Sequence, residues 1–178
     1  NKIFLSGGSN MMNEMGLGGY SKKVILNAYN FYLDFDKLKL EKSISKRQNI
    51  IGYIGRQSPE KGFMKFIECI KILSEKNCPL KYLIIGDGVQ KEAAIKYLSQ
   101  HNLTDQVDIL GWVRYDEVAK YLNEIKIHVL ASETEALGGT NLEAMACGAI
   151  SLVNNVGGLP DTVVDKYNGF ILEDNRPE

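Results

Sequence analysis

The sequence predicts an α/β domain in which helices cover both faces of a mainly parallel sheet. From Asn49 onward, short runs of β-branched and aliphatic residues alternate with segments of helical periodicity. Glycines stand at several of the predicted strand ends, where the chain turns toward the next helix. This alternation is typical of a doubly wound parallel sheet. The chain has 178 residues, 44% of them hydrophobic, which suffices for one domain with a sizeable core.

The predicted elements follow one another in a regular order. Strands are predicted over residues 49–55, 81–85, 107–110, 126–130, 149–153 and 169–172. A helix opens at Ser58 and Pro59, which suit the N-cap and the first helical position, and its apolar face comprises Phe63, Phe66, Ile67, Ile70 and Leu73. The next helix follows a turn over residues 86–88 and places Ala94, Ile95 and Leu98 inward. Shorter helices are predicted over residues 116–125, 140–147 and 159–166.

The first part of the chain is less regular. Strands are predicted over residues 2–5 and 22–26, with a short helix over residues 10–15. The glycine run over residues 6–9 lacks the GK[ST] ending of a phosphate-binding loop, so a plain turn is predicted there. Residues 36–47 are rich in charge and are predicted to form a solvated connection.

Composition excludes several classes of function. Lys and Arg number 21 against 22 Asp and Glu, so no basic surface for nucleic acid is expected. Cys69, Cys78 and Cys147 lack paired spacing, so we expect reduced thiols in a cytosolic protein. These scattered cysteines and the two histidines, His101 and His128, predict no metal site. No apolar run reaches the roughly 18 residues of a membrane span.

The first candidate constellation runs from Gly55 to Gly62. Arg56 and Lys61 flank the predicted helix start, where exposed N–H groups and the helix dipole favour anions. A lysine in the first helical turn opposes the dipole unless an anion is bound, which favours a diphosphate clamp. The alternative is that both cations are solvated surface side chains.

Two further constellations lie nearer the C-terminus. A glycine-containing loop over residues 137–140 leads into a helix and is bracketed by Glu135 and Glu143, whose carboxylates can accept hydrogen bonds from vicinal sugar hydroxyls. Glu143 also fits a capping box with Thr140, and both interpretations stand. Glu133 is expected in solvent. The Gly157-Gly158 pair either meets a ligand or forms a tight turn, with Asp161 near the following helix start.

Taken in order, these motifs resemble the retaining glycosyltransferases of two-lobed GT-B architecture, family 4. The resemblance covers residues 23–173 and is carried by Gly55-Arg56…Lys61-Gly62, Gly86-Asp87-Gly88, Leu110-Gly111-Trp112, Glu135…Glu143 within Leu142-Glu143-Ala144-Met145-Ala146-Cys147-Gly148, and Gly157-Gly158-Leu159-Pro160-Asp161. It implies a Rossmann-like domain, the C-terminal half of a GT-B fold, that binds a UDP- or GDP-type sugar and needs no cofactor.

The resemblance also implies a role for each site residue. Arg56 and Lys61, which follow Gly55 at the end of the strand, would neutralise the donor diphosphate. Glu135 would bind the donor sugar, and Glu143 would accept hydrogen bonds from the ribose hydroxyls. The backbone of Leu137, Gly138, Gly139 and Thr140 meets sugar and phosphate, and the base docks around Trp112 and Val113. The family pattern has Gly where this chain has Ala136, Phe where it has Leu137, and commonly Glu where it has Asp161, so the sugar preference stays open.

The expected protein is an excised domain of a hexosyltransferase acting in surface polysaccharide or glycoconjugate synthesis. Residues 1–22 are expected to be a remnant of an interdomain segment and residues 23–178 the nucleotide-sugar-binding domain, inactive alone. The absent N-terminal domain would bind an acceptor glycan or lipid-linked sugar, in the cytoplasm or at the inner face of the membrane. A sugar-nucleotide epimerase or phosphorylase lobe and a non-catalytic binding domain are alternatives. A dinucleotide-binding domain is disfavoured because the strand ending at Gly55 is not followed by G-x-G-x-x-G.

Overall fold

The computed structural model describes residues 2–4, 9–25 and 32–173. Its first part contains two short parallel strands, β1 (Ile3–Phe4) and β2 (Val24–Ile25), paired with Ile3 opposite Val24. Between them lie helix α1 (Ser9–Glu14) and a 3-10 turn over Gly18–Lys23. The predicted strands and short helix are thus present. Most of the predicted turn over residues 6–9 lies outside the described residues, and its last residue begins α1.

The main sheet is parallel throughout and has six strands within the described residues. They are β3 (Ile50–Ile54), β4 (Lys81–Ile85), β5 (Val107–Gly111), β6 (Ile127–Leu130), β7 (Ile150–Asn154) and β8 (Gly169–Leu172). Their spatial order is β5-β4-β3-β6-β7-β8. The chain order reverses between β3 and β6. Ligands of doubly wound sheets bind beside such a reversal, at the carboxyl ends of the strands.

Helices cover both faces of this sheet, as predicted. They are α2 (Phe63–Glu75), α3 (Lys91–Gln100), α4 (Tyr115–Leu122), α5 (Gly139–Ala146) and α6 (Leu159–Thr162). Successive strand side chains point to opposite faces. On β3, Tyr53 therefore joins the core under α2 and α3, whereas Ile54 joins the core that contains Leu122 of α4 and Ala144 of α5.

The core confirms the apolar face predicted for α2. Phe63, Phe66, Ile67 and Ile70 are all buried, and Leu73 packs at their edge. Burying each such side chain contributes about 1.5–3 kcal/mol. The prediction for the inward face of α3 is confirmed for Ala94 and Leu98, which are buried. It is wrong for Ile95, which is 39% exposed. Tyr97 packs against the core on this helix instead.

The prediction that residues 36–47 form a solvated connection is wrong at two positions. Leu38 and Arg47 are almost fully buried. The Arg47 guanidinium donates hydrogen bonds to the carbonyl of Leu122, the last residue of α4, to that of Ile125 between α4 and β6, and to that of Cys147 just after α5. The last carbonyls of a helix have no intrahelical donor, and a cation there also favours the dipole. The connection therefore secures the ends of two helices.

Two helices are shorter than predicted. Helix α4 ends at Leu122, before the predicted end at residue 125. Helix α6 ends at Thr162, and Lys166, the predicted last residue, has a left-handed φ of 62°. Residues 123–126 connect α4 to β6, and residues 163–168 connect α6 to β8.

Candidate functional site

The loop after β3 is fastened to the turn after β4. Gly55 donates its N–H to the carbonyl of Ile85 at 3.0 Å, and the buried side chain of Gln57 donates to the carbonyl of Gly86 at 2.7 Å. A β-carbon added at Gly86, whose φ is +119°, would lie 2.1 Å from the carbonyl oxygen of Gly55. Only glycine fits this approach. The turn and Gln57, whose role the sequence did not reveal, therefore fix the backbone that carries Arg56.

Arg56 is the exposed member of the predicted cation pair. Its side chain is 68% exposed, and its Nη1 lies 3.4 Å from Oε1 of Glu60. The pKa of Glu60 is lowered, mainly because the Ser58 hydroxyl donates to its carboxylate at 2.7 Å. Ser58 occupies the predicted N-cap position and Pro59 the predicted first helical position, but the Ser58 side chain makes no cap hydrogen bond. A 3-10 turn over Pro59–Lys61 comes first, and the α-helix begins at Phe63.

Lys61 and Glu135 form an ion pair that joins the first two constellations. Nζ of Lys61 lies 2.7 Å from Oε2 of Glu135, and the side chains are 26% and 15% exposed. The Ser132 hydroxyl also donates to the same carboxylate oxygen at 3.3 Å. The structure thus places the predicted diphosphate ligand and the predicted sugar ligand in contact, at the carboxyl ends of neighbouring strands β3 and β6.

The loop over residues 137–140 leads into α5 as predicted, but the capping box is wrong. Gly138, in the left-handed region at φ 75°, occupies the N-cap position, and the helix begins at Gly139. Thr140 is therefore already the second helical residue and its side chain makes no cap hydrogen bond. The first N–H groups of a helix lack intrahelical acceptors, so the backbone of Gly139 and Thr140 can bind an anion or a hydroxyl oxygen.

Glu143 lies one turn further along α5 and is half-buried. Burial raises the pKa of its carboxyl group. Within the described part of the chain, it makes no side-chain hydrogen bond or ion pair. With the capping box excluded, a ligand-binding role is the remaining interpretation of Glu143, and it stays a prediction.

The segment after β5 separates its two predicted base-binding residues. The Trp112 side chain is 77% exposed, whereas Val113 packs against the core beneath α4. The first residue of α4, Tyr115, lies near Glu143: the pKa of its phenol is raised chiefly by burial and then by the Glu143 carboxylate. Tyr115 was not among the predicted site residues, although it stands only three residues after Trp112.

The Gly157-Gly158 pair packs against the backbone of Glu135. A β-carbon at Gly157, which has a φ of +53°, would lie 1.7 Å from the Glu135 carbonyl oxygen, and Gly158 donates its N–H to that oxygen at 3.1 Å. The pair is therefore a tight turn that positions Glu135. Its other contact was unforeseen: both carboxylate oxygens of Glu14 accept the Gly157 N–H, at 3.1 and 3.3 Å.

Lys61, Glu135 and Glu14 line an open cleft of about 430 Å³. Its lining combines α1, the loop before α2 and the loop after β6, and consists of Met11, Glu14, Met15, Lys61, Thr134, Glu135 and Ala136. The cleft has the size of a small-molecule site and contains charged groups of both signs. Arg56, Trp112 and Glu143 do not line it.

The described part of the chain contains neither a candidate metal-binding cluster nor a helix that could span a membrane. Over residues 2–4, 9–25 and 32–173, no group of three His, Cys, Asp or Glu side chains is arranged to hold a metal ion. None of the helices in that part of the chain combines the length and the apolar character needed to cross a membrane.

Comparisons with known proteins give both sequence and structural relatives. CapM of Staphylococcus aureus, a capsular polysaccharide biosynthesis glycosyltransferase, is 29% identical over 164 residues, covering 90% of this chain and 42% of CapM. The C-terminal domain of LpcC, a group 1 glycosyl transferase of Francisella tularensis, superposes with a TM-score of 0.73 at 23% identity over 82% of each chain. HepE of Anabaena, solved with UDP and glucose, superposes with a TM-score of 0.79 at 21% identity, over 99% of this chain and 50% of HepE.

The solved structures confirm the predicted fold, the Rossmann-like C-terminal half of a GT-B architecture. Several curated relatives are much longer: the chain spans 34%, 30% and 28% of three of them. The profile of glycosyl transferases group 1 matches residues 34–178, which include the whole main sheet and the loops that carry Arg56, Lys61, Glu135 and Glu143. The chain therefore belongs to the glycosyl transferases group 1 family.

Proposed function

We propose that this chain is the donor-binding domain of a glycosyltransferase that moves a hexose from a nucleotide-diphosphate sugar to an acceptor hydroxyl with retention. The observation that carries the proposal is the Lys61–Glu135 ion pair at 2.7 Å, set in a cleft at the carboxyl ends of β3 and β6. It joins a cation suited to phosphate with a carboxylate suited to sugar hydroxyls.

The difficult step in such a transfer is departure of the nucleotide diphosphate. Negative charge grows on the phosphate oxygens as the bond to the sugar breaks, and fixed positive groups stabilise it. Lys61 has three ammonium hydrogens, so it can hold Glu135 and donate to a phosphate oxygen at the same time. The exposed Arg56 adds a second cation and the N-terminus of α5 adds backbone donors. We propose that these groups serve the reaction without a resident cofactor.

Two carboxylates would recognise the sugar and the ribose of the donor. Glu135 is positioned by the Gly157-Gly158 turn beside Lys61 and would accept hydrogen bonds from the donor sugar. Glu143, half-buried on α5, would accept hydrogen bonds from the ribose hydroxyls. Trp112 would contact the base from the adjacent segment. A carboxylate that burial has partly desolvated gains more from a hydroxyl donor than one in water does, because the surrounding dielectric is lower.

The relatives support the setting of the reaction. HepE was solved with UDP and glucose, and CapM takes part in capsular polysaccharide synthesis. We propose a UDP- or GDP-sugar as donor and surface polysaccharide or glycoconjugate synthesis as the process, in the cytoplasm or at the inner face of the membrane. The acceptor, a glycan or lipid-linked sugar, would bind to an N-terminal domain beyond this chain. Residues 1–22 would belong to the passage between the two domains, and residues 23–178 to the donor domain.

The proposal is tested by calorimetric titration of the natural protein at full length with UDP and with GDP. One of the two should bind, and Glu143→Ala should weaken that binding about tenfold or more, since a hydrogen bond to a charged group contributes about 1.5–3 kcal/mol. Glu133→Ala is the matched control. Glu133 is exposed and pairs with Lys65 at 2.9 Å outside the cleft lining, so binding should be unchanged. Binding of neither nucleotide would reject the proposal.

A further inference from the structure

A buried hydroxyl contacts the loop that carries Arg56. The Tyr53 side chain is 1% exposed, and its hydroxyl donates a hydrogen bond of 2.6 Å to the backbone carbonyl of Arg56. The motif that predicted the diphosphate ligands begins at Gly55 and does not include Tyr53. Tyr53 thus connects the core to a predicted ligand residue, and the proposed donor site does not yet use this contact.

Two aromatic rings of α2 hold the Tyr53 ring in place. Its centroid lies 5.0 Å from that of Phe63 and 5.5 Å from that of Phe66. Tyr53 is also the fourth of the five residues of β3, and it pairs with Ile84 of β4. Side chains in a closely packed core keep a preferred rotamer. The Tyr53 hydroxyl therefore has a fixed position near the carboxyl end of its strand.

The Tyr53 hydroxyl is a neutral donor in this position. Burial raises the pKa of Tyr53, and the carboxylates of Glu60 and Glu135 raise it further. The proton therefore stays on the phenol at neutral pH. A buried hydroxyl without a partner is costly, so the Arg56 carbonyl also satisfies a donor that would otherwise be lost to solvent.

Arg56 depends on its backbone for its position. Its side chain is 68% exposed, so the surrounding structure does little to fix the guanidinium. The Arg56 carbonyl also accepts the Ser58 N–H at 3.0 Å, but Ser58 belongs to the same loop. The Tyr53 hydroxyl instead ties this carbonyl to the main sheet. A fixed backbone lowers the conformational entropy that a long side chain loses when it binds a ligand.

We propose that Tyr53 is a positioning residue of the donor site, whose hydroxyl holds the Arg56 backbone so that the guanidinium can bind the donor diphosphate. This inference rests on the proposed function. It gives the hydroxyl a role that the ring of a phenylalanine could not fill. Removal of one buried oxygen atom should therefore weaken recognition of the diphosphate, although no residue that contacts the ligand is changed.

The test is a double-mutant cycle measured by calorimetry on the natural protein at full length. The probes are UDP and UMP, or GDP and GMP if only GDP binds, and the measured quantity is the ratio of diphosphate affinity to monophosphate affinity. Arg56→Ala should lower this ratio about fivefold or more, because it removes a charged donor to the phosphate. Tyr53→Phe should lower it about threefold, because part of the ordering of Arg56 then takes place on binding. Added to Arg56→Ala, Tyr53→Phe should have no further effect.

Tyr82→Phe is the matched control. Tyr82 is equally buried, belongs to the same core and contacts Phe66, but it is the second residue of β4 and lies further from the carboxyl ends of the strands. This variant should leave the ratio unchanged. Tyr53→Phe keeps the aromatic packing, and the Arg56 carbonyl keeps the Ser58 N–H, so the variant should fold, which urea unfolding checks.

The cycle separates a positioning role from a merely structural one. If the diphosphate binds but Tyr53→Phe leaves the ratio unchanged, or lowers it equally with and without Arg56, this inference is wrong and the proposed function stands. A ratio that Arg56→Ala does not alter also overturns the inference, because Tyr53 would then have no ligand residue to position. If neither UDP nor GDP binds, both the inference and the proposed function are rejected.

Discussion

Titration of His128 should make the domain less stable in mildly acidic solution. His128 lies on β6 and is completely buried. Burial disfavours the charged imidazolium and lowers its pKa from 6.5 to about 4, and the neighbouring Asn141 side chain only partly opposes this shift. Because the pKa is lower in the folded chain, the unfolded chain binds the proton first as the pH falls. Neutral His128 therefore favours folding above about pH 6.5, and this advantage is lost as the pH falls to about 4.

The size of the effect follows from the two pKa values. A difference of one pKa unit corresponds to about 1.4 kcal/mol, so the shift from 6.5 to about 4 gives roughly 3 kcal/mol of stability lost over that range. Urea unfolding between pH 4 and 8 measures it directly. His128→Gln should flatten this part of the profile, whereas His101→Gln, at the exposed histidine, should leave it unchanged. A natural protein whose stability does not fall between pH 6.5 and 4, or a His128→Gln variant with the same profile, would refute the reasoning.

Three further substitutions test the site and its supports. Arg56→Ala should cost about 2–4 kcal/mol of transition-state stabilisation, measured as kcat/KM in the full-length protein, and unchanged turnover would contradict this. Arg47→Met leaves helix-end carbonyls without their donors and should lower the free energy of unfolding by about 1–3 kcal/mol, while exposed Lys46→Met should not. Gly86→Ala forces a β-carbon against a backbone carbonyl and should lower the free energy of unfolding by roughly 2 kcal/mol or more. Gly19→Ala is its control, because a β-carbon there would meet nothing within 4 Å. Equal free energies of unfolding for the two variants would refute the argument.

The sequence predicted the strand order along the chain and the buried face of α2, because both depend on local periodicity. Phe63, Phe66, Ile67 and Ile70 repeat at helical spacing and are buried together. Ile95 fits the same kind of pattern on α3 but is exposed. Helical periodicity locates the apolar face of a helix only approximately. Which edge of that face is buried depends on the elements that pack against the helix.

The remaining features depend on contacts between distant parts of the chain. Lys61 and Glu135 belong to separate motifs, and their contact arises because β6 pairs with β3 across the reversal in strand order. Arg47 looked solvated in a charged segment, since the carbonyls that bind it come from α4 and α5. The capping box failed because Gly138 adopts a left-handed conformation and starts α5 earlier. The contact between Glu14 and Gly157 had no local signal, because the two residues are 143 positions apart in the chain.

If the diphosphate of a nucleotide binds at this cleft through Lys61, with the exposed Arg56 as a second cation outside the lining, a diphosphate should bind more tightly than the matching monophosphate, and calorimetry measures this difference. UDP should bind the full-length protein at least tenfold more tightly than UMP, or GDP more tightly than GMP, because the second phosphate meets Lys61. In Lys61→Ala that difference should largely disappear, while affinity for the monophosphate is little changed. Equal affinity for the diphosphate and the monophosphate in the natural protein would contradict the account.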